Sequence, residues 1–139
     1  MIMYRFTVPT NSRCQFINID RQIQTLLREC GLQKGLLHLH VPHTTAGITI
    51  NENADPDVPR DMELVLDRMV PWHDPAYRHG EGNTAAHVKA SMMGAGCTLI
   101  IEQGKPCLGV WQSVFFCEFD GPRNREVWAT VAADEGSGQ

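Results

Sequence analysis

Residues 107–119, CLGVWQSVFFCEF, constrain this chain more than any other stretch. Read as one long strand, they place apolar side chains on both faces, because successive side chains of a strand point to opposite sides. Such a strand needs cover on both sides, from helices, a second sheet or another subunit. A single domain of 139 residues has limited means of covering both faces, so a neighbouring subunit is one expected cover. Gln112 sits inside this run. A buried amide must find partners or cost on the order of 1–3 kcal/mol, so Gln112 is expected to make a structural or subunit contact, or to orient a ligand.

The rest of the chain reads as short strands and three helical stretches. YRFTVP, RCQFINI, GLLHLHVP, AGITINE, CTLIIE and REVWATVAA have strand composition and are bounded by turn residues. In GLLHLHVP, Leu37, Leu39 and Val41 share one face, and Leu36, His38 and His40 the other. Asp20 is placed to cap a helix whose stripe is Ile23, Leu26, Leu27 and Cys30, with Gly31 as its stop. Asp55 and Pro56 suit the cap and first position of a second helix, with Val58, Met62, Val65, Leu66 and Met69 inward and Pro71 beyond its end. TAAHVKASMMG predicts a third, with Ala85, Val88 and Met92 inward. Short connections between these elements point to one compact α+β domain over residues 1–133, a largely antiparallel sheet with two to three packed helices. Residues 134–139 read as a flexible tail.

Several function classes are disfavoured. The net charge of −4 supplies no general basic field for nucleic acid. No apolar run approaches a membrane span, and MIMYRFTVPTNSR lacks the apolar centre of a signal peptide. The five cysteines are odd in number, widely spaced and without a C-x-x-C pair, which reads as reduced, mostly buried thiols in a cytoplasmic protein.

HGEGNTAAHVK, from His79 to Lys89, carries the densest chemistry. His79 and Glu81 lie in a glycine-rich loop, and Asn83 and His87 are four apart on one face of the helix that follows. Two imidazoles and a carboxylate at a helix start suit a metal site, although surface histidines beside a capped helix would look alike. His43 follows Pro42 where the chain leaves a strand, a common place for a site residue. His38 and His40 read better as the solvent side of a strand. Glu52 and Glu118 end apolar strands, and EFDGPRNR sets Arg123 and Arg125 around a turn, where they could clamp a phosphate or merely solvate a hairpin. Lys89 read alone is a solvated helix lysine.

Taken together, GLLHLHVPHTTAGITINENADPDVPRDME, HGEGNTAAHVKASMMG and GVWQSVFFCEFDGPR closely resemble the secondary thiamine-phosphate synthase, or YjbQ-like, family, with similarity from Tyr4 to Val131. The resemblance implies a compact α+β subunit, a homotrimer and a histidine-lined pocket for a metal or an anion. The family's motif histidines match His43, His79 and His87, which the resemblance implies as ligands of a divalent metal, zinc first and magnesium or manganese as alternatives. Its other polar positions match Glu52, Glu81, Lys89 and Glu118, implied to act in catalysis with Arg123 or Arg125, and Asn53 and Gln112, implied to bind ligand. His79 and Glu81 are closer here than in members reading H-x-x-E-G, which ranks Glu81 below the histidines. The expected function is a metal-assisted enzyme on a small phosphorylated metabolite, with thiamine-phosphate synthase-type transfer as a secondary activity. A metal-dependent hydrolase and a non-catalytic trimeric binding protein are the alternatives. Glu52 is expected at the rim beside His43, or in a neighbouring subunit's pocket.

Overall fold

The computed structural model describes residues 2–135, so residues 136–139 of the expected tail lie outside the described residues. The element order is β1 (Tyr4–Pro9), β2 (Gln15–Asn18), α1 (Asp20–Cys30), β3 (Gly35–His40), β4 (Ala46–Glu52), α2 (Asp57–Met69), α3 (Thr84–Met93), β5 (Gly96–Glu102), β6 (Lys105–Pro106), β7 (Gln112–Glu118) and β8 (Asn124–Ala133). The strands form a five-stranded sheet in the order β1-β8-β3-β5-β6 and a three-stranded sheet in the order β2-β7-β4. Every pairing is antiparallel, as short turns between successive strands favour. The result is the expected α+β domain. No helix among the described residues is long and apolar enough to cross a membrane.

The strand with two apolar faces is covered within this one chain. Val114 and Phe116 of β7 enter a core shared with Leu37, Leu39 and Val127 of the larger sheet and Ile23 and Leu27 of α1. Phe115, Cys117 and Phe119 face the other way, against Leu66 of α2 and Ala86 and Ala90 of α3. Each fully buried large side chain of this kind contributes about 1.5–3 kcal/mol. The argument that β7 needs a second subunit for cover therefore fails. The strand is also shorter than expected and begins at Gln112. Gln112 is exposed, and its side-chain oxygen accepts the Gly109 N–H at 2.8 Å, closing the turn that precedes β7. It is not the buried orienting amide that the pattern suggested.

The helices differ from expectation in their faces. α1 buries Ile23, Leu26 and Leu27, and Gly31 ends it in the left-handed conformation at φ 73°. Asp20 does not cap it; its carboxylate accepts the Val114 N–H at 3.0 Å and ties the helix to β7. Asp55 does not cap α2 either: Pro56 stands at the cap position, and Asp55, one residue earlier, accepts the Asp57 N–H at 2.9 Å. α2 buries only Leu66, leaving Val65 50% and Met69 62% exposed. In α3 the inward side chains are Ala85, Ala86, Lys89 and Ala90, while Val88 and Met92 face outward. Small alanines let α3 approach β4 closely: a Cβ added at Gly47 would lie 2.8 Å from the Gly94 carbonyl oxygen. That approach decided the helix rotation, which apolar spacing could not.

All five cysteines are free, with only Cys117 fully buried and Cys107 exposed. Burial pushes the Cys14 thiol up to about 12, which keeps it protonated as a packing group.

Candidate functional site

Three separate segments meet at one end of the smaller sheet. The first is the exit from β3. Pairing of β3 with β8 runs to His40 opposite Trp128, and that register would carry residue 42 opposite Glu126. Pro42 has no N–H and the chain leaves the sheet there. His43 fills the rung instead, its Nε2 accepting the Glu126 N–H at 3.0 Å. The second segment is the glycine loop before α3. Gly82 takes the left-handed conformation at φ 73°, which turns the loop into the helix. The rings of His79 and His87 stand 5.3 Å apart, centre to centre, in a T-shaped arrangement. The third segment is the β7–β8 turn. Asp120 Oδ2 accepts from Asn83 Nδ2 at 2.8 Å and from Arg123 at 3.0 Å, which joins the turn to the start of α3.

The three segments enclose a cleft of about 410 Å³ whose lining includes His43, His79, His87, Glu81, Arg123 and Arg125. Below it lies a buried ion pair. Arg125, 5% exposed, donates from Nε to Glu118 Oε2 at 2.7 Å and from its terminal nitrogen to Oε1 and to Thr45 Oγ1. Glu118, 0% exposed, also accepts from Thr10 Oγ1 and from the Asp120 N–H, both at 2.9 Å. A buried carboxylate with every acceptor site used is the condition under which such a pair is tolerated. Two buried side-chain oxygens have no hydrogen-bond partner among the described residues, Asn83 Oδ1 and Thr84 Oγ1. Both belong to the start of α3, beside the cleft.

Burial and the Arg125 guanidinium hold the His43 pKa below its ordinary value of 6.5. Between that lowered value and 6.5, the unfolded chain binds more protons at this position than the folded one. Stability is therefore expected to fall as pH drops from about 6.5 toward the folded-state value, with no further loss from this group below it. A histidine ring titration by NMR checks this, and a His43 midpoint at or above 6.5 contradicts it.

The implied site residues divide into two groups. His43, His79, His87, Glu81 and Arg123 come together in the cleft. Glu118 lies beneath it as the partner of Arg125 and does not line it. Lys89 is 3% exposed, pairs with Asp67 of α2 and does not line the cleft either. Glu52, Asn53 and Gln112 lie at the far end of the smaller sheet. Ala46 pairs with Glu118 at the cleft end and Glu52 with Gln112 at the other, some ~20 Å away at ~3.3 Å per residue. Within one chain Glu52 does not reach the rim beside His43. The exposed Asn53 continues the pairing, its N–H donating to the Trp111 carbonyl at 2.9 Å. His38 and His40 lie on the exposed face of β3, His38 against Thr98, as expected.

Among the described residues, no three His, Cys, Asp or Glu side chains stand close enough to hold one ion. Of the expected cluster of three histidines around a metal or a phosphate-like anion, the structure shows a shared cleft, with the His79 and His87 rings in contact. Sequence reasoning missed Thr10 and Thr45. Both act through hydrogen bonds to partners 80 to 108 residues away, which no local spacing reveals.

The family profile described as UPF0047 protein YjbQ-like matches residues 4–134. UPF0047 protein YugU of Bacillus subtilis is 51% identical over 87% of this chain and 92% of its own length. A UPF0047 protein of Methanocaldococcus jannaschii is 43% identical over 96% of both chains. The crystal structure of an uncharacterized conserved YjbQ/UPF0047 protein from Clostridium acetobutylicum superposes with a TM-score of 0.89 at 46% identity, covering 93% of this chain and 99% of that one.

Proposed function

This chain belongs to the UPF0047 YjbQ-like family, and from that premise we propose that its cleft binds a small phosphorylated metabolite and acts on it with the help of a divalent metal. The observation that carries this reading is the convergence of His43, His79, His87, Glu81 and Arg123 from three segments distant in sequence. An arginine and imidazoles around one concave site suit phosphate oxygens.

His79 and His87 would supply two donors to a metal, and among the described residues no third His, Cys, Asp or Glu stands close enough to complete the set. Two imidazoles bound to one tetrahedral ion at metal–nitrogen distances of about 2.0–2.1 Å have ring centres about 5 Å apart. The separation here is 5.3 Å. Glu81 lines the same cleft but does not stand with the two rings as a third ligand. A bound ion would supply Lewis acidity toward phosphoryl oxygen. The chain's own residues would orient the phosphate and neutralise its charge, Arg123 from the turn side and His43 from the strand side.

Thiamine-phosphate synthase-type transfer is proposed as a secondary activity. There a thiazole nitrogen attacks the pyrimidine methylene carbon and pyrophosphate departs with the bonding electrons. No protein nucleophile is needed. The test is a metabolite screen of metal-free and zinc-loaded protein. Pyrophosphate release supports the transferase reading, and phosphate release from simple esters supports a hydrolase using Glu81 as base. Ligand binding without turnover leaves a binding protein, and no binding of any phosphorylated compound removes the proposal.

A homotrimer is proposed as well, on the family resemblance, and the exposed apolar residues Val65, Met69, Val88, Met92 and Trp111 are available to subunit contacts. Sedimentation at micromolar concentration is expected to show a species three times the chain mass, and a monomer alone counts against it.

A further inference from the structure

We infer that His43 serves the cleft as a hydrogen-bond donor through Nδ1–H, aimed at an anionic oxygen of the ligand, and that it is not a metal ligand. This rests on the reading of the cleft as a phosphate-binding site. The argument begins with the β8 backbone. The Glu126 N–H points toward the side from which β3 has departed, and an unpaired donor in a sheet is costly. His43 Nε2 accepts it at 3.0 Å, so that nitrogen carries no proton. In a neutral imidazole the proton then resides on Nδ1.

Metal coordination needs a ring lone pair, and the one lone pair of this tautomer is already engaged. Nδ1–H has no acceptor among the described residues, while the ring lines the cleft. The group that Nδ1–H can serve is therefore the cleft's occupant. Arg125 is held by Glu118, and the cleft also carries Glu81 and Asp120, but Arg123 is half exposed and spends one terminal nitrogen on Asp120, so an oxygen that meets both Nδ1–H and Arg123 is best matched by an anion. Arg125 also disfavours protonation of the ring, which preserves the neutral tautomer. His79 and His87 differ, since neither ring has a hydrogen bond to protein that would engage a nitrogen among the described residues. The histidines thus separate by task, two for a metal and one for the anion.

The experiment is long-range ¹H–¹⁵N NMR of protein labelled at histidine nitrogen, at pH 7.5, before and after zinc and then inorganic phosphate. The expected His43 pattern has a protonated Nδ1 and a bare Nε2. Zinc should move the His79 and His87 nitrogens and leave His43 in place, and phosphate should move His43 Nδ1. A protonated Nε2, or a zinc shift at His43 like that of the other two, overturns the inference. The tautomer is read without any ligand, so failure to bind zinc or phosphate sinks the functional reading separately. Two substitutions add a second readout. His43→Asn places an amide N–H near the Nδ1 position and should keep phosphate affinity within about threefold, whereas His43→Gln occupies the Nε2 position and should lose about tenfold or more. The opposite order would show that the bond to Glu126 is the only role of the ring.

Discussion

Arg125→Ala is expected to lower folding stability by about 3–5 kcal/mol, because it strands Glu118 as an uncompensated buried charge. Both partners are almost fully enclosed, and Arg125 supplies two of the hydrogen bonds to the Glu118 carboxylate. The remaining donors, Thr10 Oγ1 and the Asp120 N–H, cannot neutralise the charge. For a domain of this size the melting temperature should fall by about 10 °C or more. Replacing both members, Arg125→Met with Glu118→Leu, should recover much of the loss, since a buried pair is often matched by apolar groups of similar volume. Urea unfolding of the two variants measures both effects. A loss below about 1 kcal/mol in Arg125→Ala would show that water reaches Glu118. The same variant should also loosen the cleft, because Arg125 holds Thr45 in the loop that carries His43.

His87→Ala is expected to weaken zinc binding by about a hundredfold or more while leaving the fold intact. Removal of a partner behind a ligand already costs about 10–100-fold, and loss of a ligand costs more. The side chain is half-buried on a helix, and alanine is the best helix former, so the substitution should not unfold α3. Zinc retention in the unaltered protein should decline in acid, since protonated imidazole cannot coordinate. Equilibrium dialysis with elemental analysis gives both numbers. Unchanged affinity in His87→Ala would remove the His79–His87 pair as the metal site.

Local chemistry made much of the fold legible. Alternation in GLLHLH sent Leu37 and Leu39 inward and His38 and His40 outward, as found. AGITINE coincides with β4, and Gly31 ends α1 with the positive φ that glycine tolerates best. The rotation of α3 was not legible, because its inward face is alanine and lysine and its apolar Val88 and Met92 are exposed. A helix resting on β4 opposite Gly47 needs small side chains at the contact, and apolar periodicity does not register them.

The site divides in the same way. His79, Glu81, Asn83 and His87 were readable as one group because a loop and one helical turn keep near neighbours together. The same local reasoning failed for Glu52 and Gln112, which lie a strand length from the cleft because an extended strand carries its two ends apart. The sequence by itself determined the identity of the elements, their inward faces in the strands and the residues able to carry chemistry. Only the tertiary structure decided which of them meet. Packing of the two sheets placed Arg125 of one against Glu118 of the other and against Thr45, and the end of β3 pairing gave His43 to the Glu126 N–H. Those contacts depend on how the sheets pack and where the backbone runs out of partners, properties of paired strands and not of any one segment.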